Sequence, residues 1–254
     1  MTLVDVGISV RQVEENPWYT RLMESLQSIP AGVPAEILVE AAPELTKVEK
    51  RLRLFRRSSA RYLCLIEDDV QVIHDGWLVQ MLSRMPVLQN AAIMNPAETR
   101  MEPSEIPVSE LKDEVQEITN AAGFCMLIDR ESGILPDVRV QTMDDLWLSL
   151  AARARGYRIV RSLAAIVRHS KQPWLSDDHT PQEQADRSRF GENHPYYKQD
   201  AHEAKRRLEA RLMVEQFGDL ARITLPKELL PWADPLHEDF GMAWDRGQPI
   251  AYKT

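Results

Sequence analysis

RYLCLIEDDVQVIHDGWLVQML, residues 61–82, sets an apolar run, Tyr62 to Ile66, directly against three acids, Glu67, Asp68 and Asp69. A helical pattern begins near Asp75. The stretch reads as a buried strand that ends in carboxylates. In an open α/β sheet, ligands gather beyond the carboxyl ends of the strands, where a charged side chain can meet a small molecule without entering the core. The three acids fall at such an end.

Working outward, Val4 to Val10 reads as a first strand, and Pro17 opens a helix to about Ile29, since its missing N–H costs nothing in a first turn. Pro30, Gly32 and Pro34 break the chain before a short strand, Glu36 to Ala41. A basic helix, Leu45 to Ser58, leads into the central strand. Strand, helix, strand, helix, strand with continuous apolar strands predicts a parallel sheet covered on both faces.

Beyond the acids, Trp77 to Met85 reads as a helix and Ala91 to Met94 as a strand. Pro96 to Pro107 carries three prolines and no period, which predicts a loop. Val115–Asn120 and Ala122–Ile128 read as strands, and Met143–Arg155 as an amphipathic helix stopped by Gly156. Tyr157–Val160 and Ala164–Val167 read as two short strands. From Thr180 the chain turns polar and helix-prone, with a long helix from about Asp200 to Gln216 and a Pro- and Trp-containing tail, Leu225 to Thr254. The expected division is an α/β domain over 1–172 and a helical extension over 173–254 that packs on it.

The chain of 254 residues, 44% hydrophobic and 28% charged, is long enough to bury a substantial core. No apolar run reaches the roughly 20 residues that span a bilayer, and the N-terminus is strand-like rather than a leader. The expectation is a soluble, cytoplasmic protein. Cys64 and Cys125 lie in apolar runs, as buried thiols do in a reducing compartment. A net charge of −8 argues against a protein that coats nucleic acid through phosphate neutralisation, while leaving room for a local basic groove. Two basic clusters stand out, Lys47, Lys50, Arg51, Arg53, Arg56, Arg57 and Arg61, and then Lys205, Arg206, Arg207 and Arg211. Both read as solvated helix faces in preference to polyanion sites.

Three features can carry chemistry. Glu67, Asp68 and Asp69 suit a hard divalent cation, which takes oxygen ligands and bridges protein acids to phosphates; on spacing alone a solvated turn is the better reading. Asp144-Asp145 precedes a helix, where acids cap free N–H groups; the functional alternative is a general base. His169 ends an apolar run and, by itself, is more simply a surface or satisfied core residue.

Joined in order, these features gain specificity. The chain has Ile66-Glu67-Asp68-Asp69-Val70, Asp75-Gly76-Trp77-Leu78 and Ala121-Ala122-Gly123-Phe124. It continues with Asp144-Asp145-Leu146-Trp147-Leu148, Ala154-Arg155-Gly156-Tyr157-Arg158-Ile159-Val160 and Val167-Arg168-His169. The series resembles the inverting glycosyltransferases of the GT-A fold, the large family 2, from Val4 to Lys171. The resemblance implies a Rossmann-like GT-A fold, with a mostly parallel central sheet and a helical C-terminal extension. It also implies transfer of a sugar from a nucleotide-diphosphate sugar, with a UDP-sugar the expected donor, to an acceptor hydroxyl with inversion.

Carried over by position, the resemblance makes Asp69 and His169 ligands of Mn²⁺ or Mg²⁺. Asp68 and Glu67 would contact ribose or metal, and Lys171 would neutralise phosphate. Ser9 and Arg11 would touch the nucleotide, and Glu40 the base. Asp145 matches the catalytic base, with Asp144 beside it. Glu67 and Trp147 depart from the commoner residues at their positions and motivate an alternative, a non-catalytic GT-A protein that binds a nucleotide-sugar or a partner. A nucleotidyltransferase ranks third. The acceptor is left open among glycan, protein, small molecule and modified nucleic acid, as is the oligomeric state. Trp174, Trp232 and Trp244 could stack on an acceptor, although buried packing is the plainer reading of each.

Overall fold

Val4–Ser9 (β1) is buried at every position, as a strand covered on both faces must be. The fold is taken from a computed structural model that describes residues 2–10, 13–14, 16–99, 114–169 and 199–233, with only the backbone of 199–204, 242–245 and 248–251. Helix α1, Pro17–Ser28, starts with Pro17 in its first turn; the Asn16 side chain caps it, accepting from the N–H groups of Trp18 and Tyr19. Helix α2, Lys47–Arg57, opens on a reciprocal capping box between Thr46 and Glu49, which satisfies two otherwise orphaned donors.

Strands β2, Ala35–Glu40, and β3, Tyr62–Glu67, flank β1 in parallel register. The other strands of the sheet are β4 (Val70–Val72), β5 (Ala91–Thr99), β6 (Val115–Ile118), β7 (Cys125–Asp129) and β8 (Arg158–His169). The sheet has eight strands in the order β2-β1-β3-β7-β5-β8-β4, with β6 also on β8. Strands β2, β1, β3, β5 and β8 run one way, and β7, β4 and β6 run against them. The sheet is mostly parallel by strand direction, and antiparallel β7 is inserted between β3 and β5.

Three local expectations are corrected. β5 continues through Pro96 to Thr99 instead of giving way to a loop. Its pairing with β7 covers Ile93 and Met94, and its register with β8 slips between Pro96 and Ala97. Such a bulge is where a strand accepts a residue that cannot donate. The two short strands expected over 157–167 are one strand, β8, and the same slip accounts for the apparent gap between them. β4 was not foreseen; three residues give too short a pattern to read.

Helix α3, Trp77–Leu82, and helix α4, Asp144–Ala154, complete this unit, and Gly156 at φ 79° follows α4. Among the buried residues are Ile8, Tyr62, Ile66, Trp77, Leu78, Met81, Met94 and Leu127, which belong to one apolar cluster. Cys64 and Cys125 are buried free thiols.

The chain divides into two compact units, Met1–Lys171 and Gln172–Thr254. The second contains α5 (Gln199–Phe217), α6 (Asp219–Thr224), a 3₁₀ segment (Lys227–Ala233) and an antiparallel pair, β9 (Met242–Asp245) and β10 (Gln248–Ala251). Here the expected solvated face is corrected in part. Lys205 is buried, and the Arg207 guanidinium lies 3.7 Å from the Trp232 ring centroid, a cation–π contact. Trp174 and the Trp244 side chain lie outside the described residues. Among the described residues, no helix is long and apolar enough to cross a membrane.

Candidate functional site

Parallel register places Ser9 opposite both Glu40 and Glu67, so the carboxyl ends of β2, β1 and β3 lie side by side. Ser9 and Glu40 are buried. The Glu40 carboxylate accepts from the Ala42 N–H at 3.2 Å and stands 3.7 Å from Arg57. Asp68, also buried, accepts from the Asn16 side chain at 3.0 Å. The same asparagine caps α1, so that helix is tied to the acidic strand end.

Asp69 meets His169 because β4 and β8 pair with Val70 opposite His169. His169 Nε2 lies 3.5 Å from Asp69 Oδ1, and Nδ1 lies 3.3 Å from Glu98 Oε1. The Phe124 ring stacks on the imidazole at 4.9 Å between centroids, so the ring is oriented from three sides. Burial pulls the imidazole pKa down, but the hydrogen bond and charge of Asp69, with Glu67 and Glu98, outweigh it and raise it. Glu67, Asp69 and His169 each offer one atom within 4.8 Å of the others. Two oxygens and one imidazole nitrogen form a donor set that a divalent cation such as Mn²⁺ or Mg²⁺ fits.

Behind these acids lies a cationic knot centred on the buried Arg51, with Lys47 on its exposed side. One terminal nitrogen of Arg51 donates to Asp144, and the other donates to Glu67 at 2.8 Å and to the Gly123 carbonyl at 2.7 Å. Arg51 and Asp144 side chains are each 1% exposed. Lys47 Nζ sits 3.1 Å from Glu67 and 3.0 Å from Asp144. Burial raises the Glu67 carboxyl, yet the Lys47 and Arg51 charges overcome it and hold the pKa at about 2. Glu67 therefore stays ionised at any working pH.

Asp145 is half-buried at the start of α4. One carboxylate oxygen accepts from the Leu146 N–H at 2.8 Å, the other from the Gly123 N–H at 3.2 Å. A Cβ at Gly123 would lie 3.4 Å from both Asp145 Oδ2 and Glu67 Oε1, so this glycine separates the two carboxylates. Burial and the adjacent Asp144 charge raise the Asp145 pKa, against the opposing Lys47 and Arg51 charges. That is the direction a general base needs, because proton transfer is most effective when the pKa approaches the working pH.

The sequence reading paired Asp144 with Asp145 as catalytic residues, and the structure separates them. Asp144 is buried in ion pairs with Arg51 and Lys47, whereas Asp145 is half-buried. Arg11 and Lys171 lie outside the described residues. The expected solvated face of α2 is corrected as well, since Lys50 and Arg51 are buried and Lys50 donates to the Val10 carbonyl. Sequence reading missed Lys47, Arg51, Asn16 and Glu98. A signal for Arg51 was present: it falls at i+3 from Val48 and i−3 from Leu54, on the apolar stripe of α2.

No protein-family model matches the sequence, and no curated protein matches it. Solved structures do. TarS of S. aureus, residues 1–349, superposes with a TM-score of 0.51 at 8% identity, over 91% of this chain and 85% of that one. Its complex with UDP-GlcNAc gives a TM-score of 0.53 at 8% identity, over 91% and 86%. The chain has the GT-A fold. GalNAc-T7 with UDP, GalNAc and Mn²⁺ is a GT-A structure too, with a TM-score of 0.51 at 11% identity, over 66% of this chain and 44% of that one. In this GT-A chain the acids and His169 cap the carboxyl ends of the sheet.

Proposed function

We propose that the chain is a metal-dependent glycosyltransferase that moves a sugar from a nucleotide-diphosphate sugar, with UDP as the expected nucleotide, to an acceptor hydroxyl with inversion. The observation that carries this reading is the juxtaposition of Glu67, Asp69 and His169 with Asp145 across Gly123. Solved GT-A structures that hold UDP-GlcNAc, or UDP with Mn²⁺, support the donor class.

Asp69 and His169, with Glu67, would hold Mn²⁺ or Mg²⁺. Such a cation, when bound, neutralises the charge that develops on the departing diphosphate. Ser9 and Glu40 sit at adjacent strand ends suited to the nucleoside, with Arg11 and Lys171 as further donor contacts. Asp68 has a structural duty towards Asn16 beside its expected ribose contact.

Asp145 takes the acceptor hydroxyl proton, and the hydroxyl oxygen bonds to the anomeric carbon as the bond to the diphosphate oxygen breaks. One displacement from the face opposite the leaving group inverts the centre. Asp145 is suited to this because Gly123 and Leu146 fix both of its oxygens.

Calorimetric titration of UDP, GDP and dTDP tests the donor half. Mn²⁺-dependent binding of UDP is expected, and absence of binding by all three overturns the reading. A smaller effect is expected at Glu98. A metal-ligating imidazole is oriented by an acceptor on its other nitrogen, and loss of that partner costs about 10–100-fold in metal affinity. Glu98→Ala is expected to weaken Mn²⁺ binding by about tenfold in a titration monitored by Mn²⁺ paramagnetic resonance. Unchanged affinity would release Glu98 from this role.

A further inference from the structure

The knot around the buried Arg51 has a role that substrate contact does not explain. Its two terminal nitrogens are occupied by Asp144, Glu67 and the Gly123 carbonyl, and its side chain is 1% exposed. These partners come from three separate places: the end of β3, the turn before β7 and the first turn of α4. On the donor side is Glu67; on the acceptor side is the helix that bears Asp145.

We propose that Arg51 is a positioning residue that locks the base-bearing end of α4 to the donor-side end of β3, through Asp144 on one nitrogen and Glu67 with Gly123 on the other. The inference rests on the reading of Asp145 as the base. The guanidinium is suited to it because a rigid planar fork fixes both the distance and the angle between its partners, whereas an ammonium acts as a point charge. Lys47 touches the same two acids and supplies charge without the fork. Gly123 is gripped twice, its carbonyl by Arg51 and its N–H by Asp145. The turn is stitched again where the Ala121 N–H donates to Ser149 of α4 at 2.8 Å. A loosened fork would therefore reach the Asp145 carboxylate through Gly123 as well as through Asp144. An error of about 1 Å in a reacting group can cost about 10²-fold in rate.

Arg51→Lys retains the charge and removes the fork. In this chain, kcat for transfer is expected to fall by about 10–100-fold, and by more than UDP affinity with Mn²⁺ falls, since Lys47 still pairs with Glu67 on the donor side. Asp144→Asn is expected to give a similar fall. The double variant is expected to be no worse than either single, as for residues that act as one unit.

Hydrogen exchange supplies a readout independent of turnover. Amides of 121–124 and 144–149 are expected to exchange about tenfold faster in either variant, with β1 and β2 unchanged. Faster exchange there in a protein that transfers no sugar would sink the glycosyltransferase reading and leave the lock standing. Unchanged exchange, a kcat within about twofold of the parent, or additive effects in the double variant would each overturn the lock. Uniform loss of protection across the sheet in both variants would also overturn it, since the pair would then serve stability alone.

Discussion

Asp145→Asn is expected to lower kcat for sugar transfer by about 10²–10⁴-fold, the scale of a lost general base, while UDP with Mn²⁺ binds as before. The substitution is nearly isosteric, and one of the two hydrogen bonds survives. The amide oxygen can still accept from Gly123 or Leu146, which now hold one carboxylate oxygen each. The amide nitrogen, however, faces an N–H donor, and it cannot take a proton from a hydroxyl. Steady-state transfer with a saturating acceptor, set beside calorimetry of UDP, separates the two halves of the site. Transfer within about threefold of the parent would move the base elsewhere.

The same residue is expected to set an acid limb in the pH dependence, measured on Mn²⁺-saturated protein so that His169 is held by the metal and not by a proton. As a base Asp145 works only when ionised, so kcat/KM is expected to rise with pH as Asp145 loses its proton. Burial and the Asp144 charge raise that pKa in the ligand-free protein, so the acid limb of the kcat/KM profile is expected above the ordinary carboxylate range. Below it, protonated Asp145 cannot accept and the rate falls. Glu67, held at about 2, does not titrate in the same window and cannot supply that limb. A profile flat down to the ordinary carboxylate range would contradict the assignment.

Much of the sheet could be read from sequence because its evidence is local. The apolar run before Glu67, proline at the head of α1 and the Pro30, Gly32 and Pro34 break before β2 each act within a few residues. The antiparallel course of β7 could not be read, because a run of four buried apolar residues, Cys125 to Ile128, looks the same in either direction. Pro96 marked a loop by the usual rule, but a register slip beside it lets the strand continue.

The site divides along the same line. Glu67, Asp69, Asp145 and His169 could be proposed from sequence because each belongs to a short local motif, and the series of motifs resembles GT-A glycosyltransferases. Arg51 could not be assigned its duty: its partner Asp144 lies 93 residues away, and a cluster of bases is usually solvated. Glu98 was lost inside the stretch read as a loop, yet β5 carries it to His169.

Asp69→Asn is expected to abolish most Mn²⁺-dependent UDP binding, with a loss of about 10²-fold or more, equivalent to about 2.7 kcal/mol. The acids at the strand end are not equivalent. Glu67 already neutralises Arg51 and Lys47, and Asp68 holds Asn16. Asp69 instead faces His169, itself a candidate ligand, so its carboxylate charge is the one best able to serve a cation. Asparagine keeps the size and removes that charge. A general loss of folding would also weaken binding, so thermal melting of the metal-free protein is the control. Its midpoint, taken above the raised pKa of His169, is expected to stay level, because Glu67 is already compensated by Lys47 and Arg51 and the contact that Asp69 loses is then one with a neutral imidazole. Mn²⁺-dependent UDP binding within about threefold of the parent would show that Asp69 is not the metal ligand. It would also leave Glu67 and His169 without the oxygen that makes their arrangement a cation site.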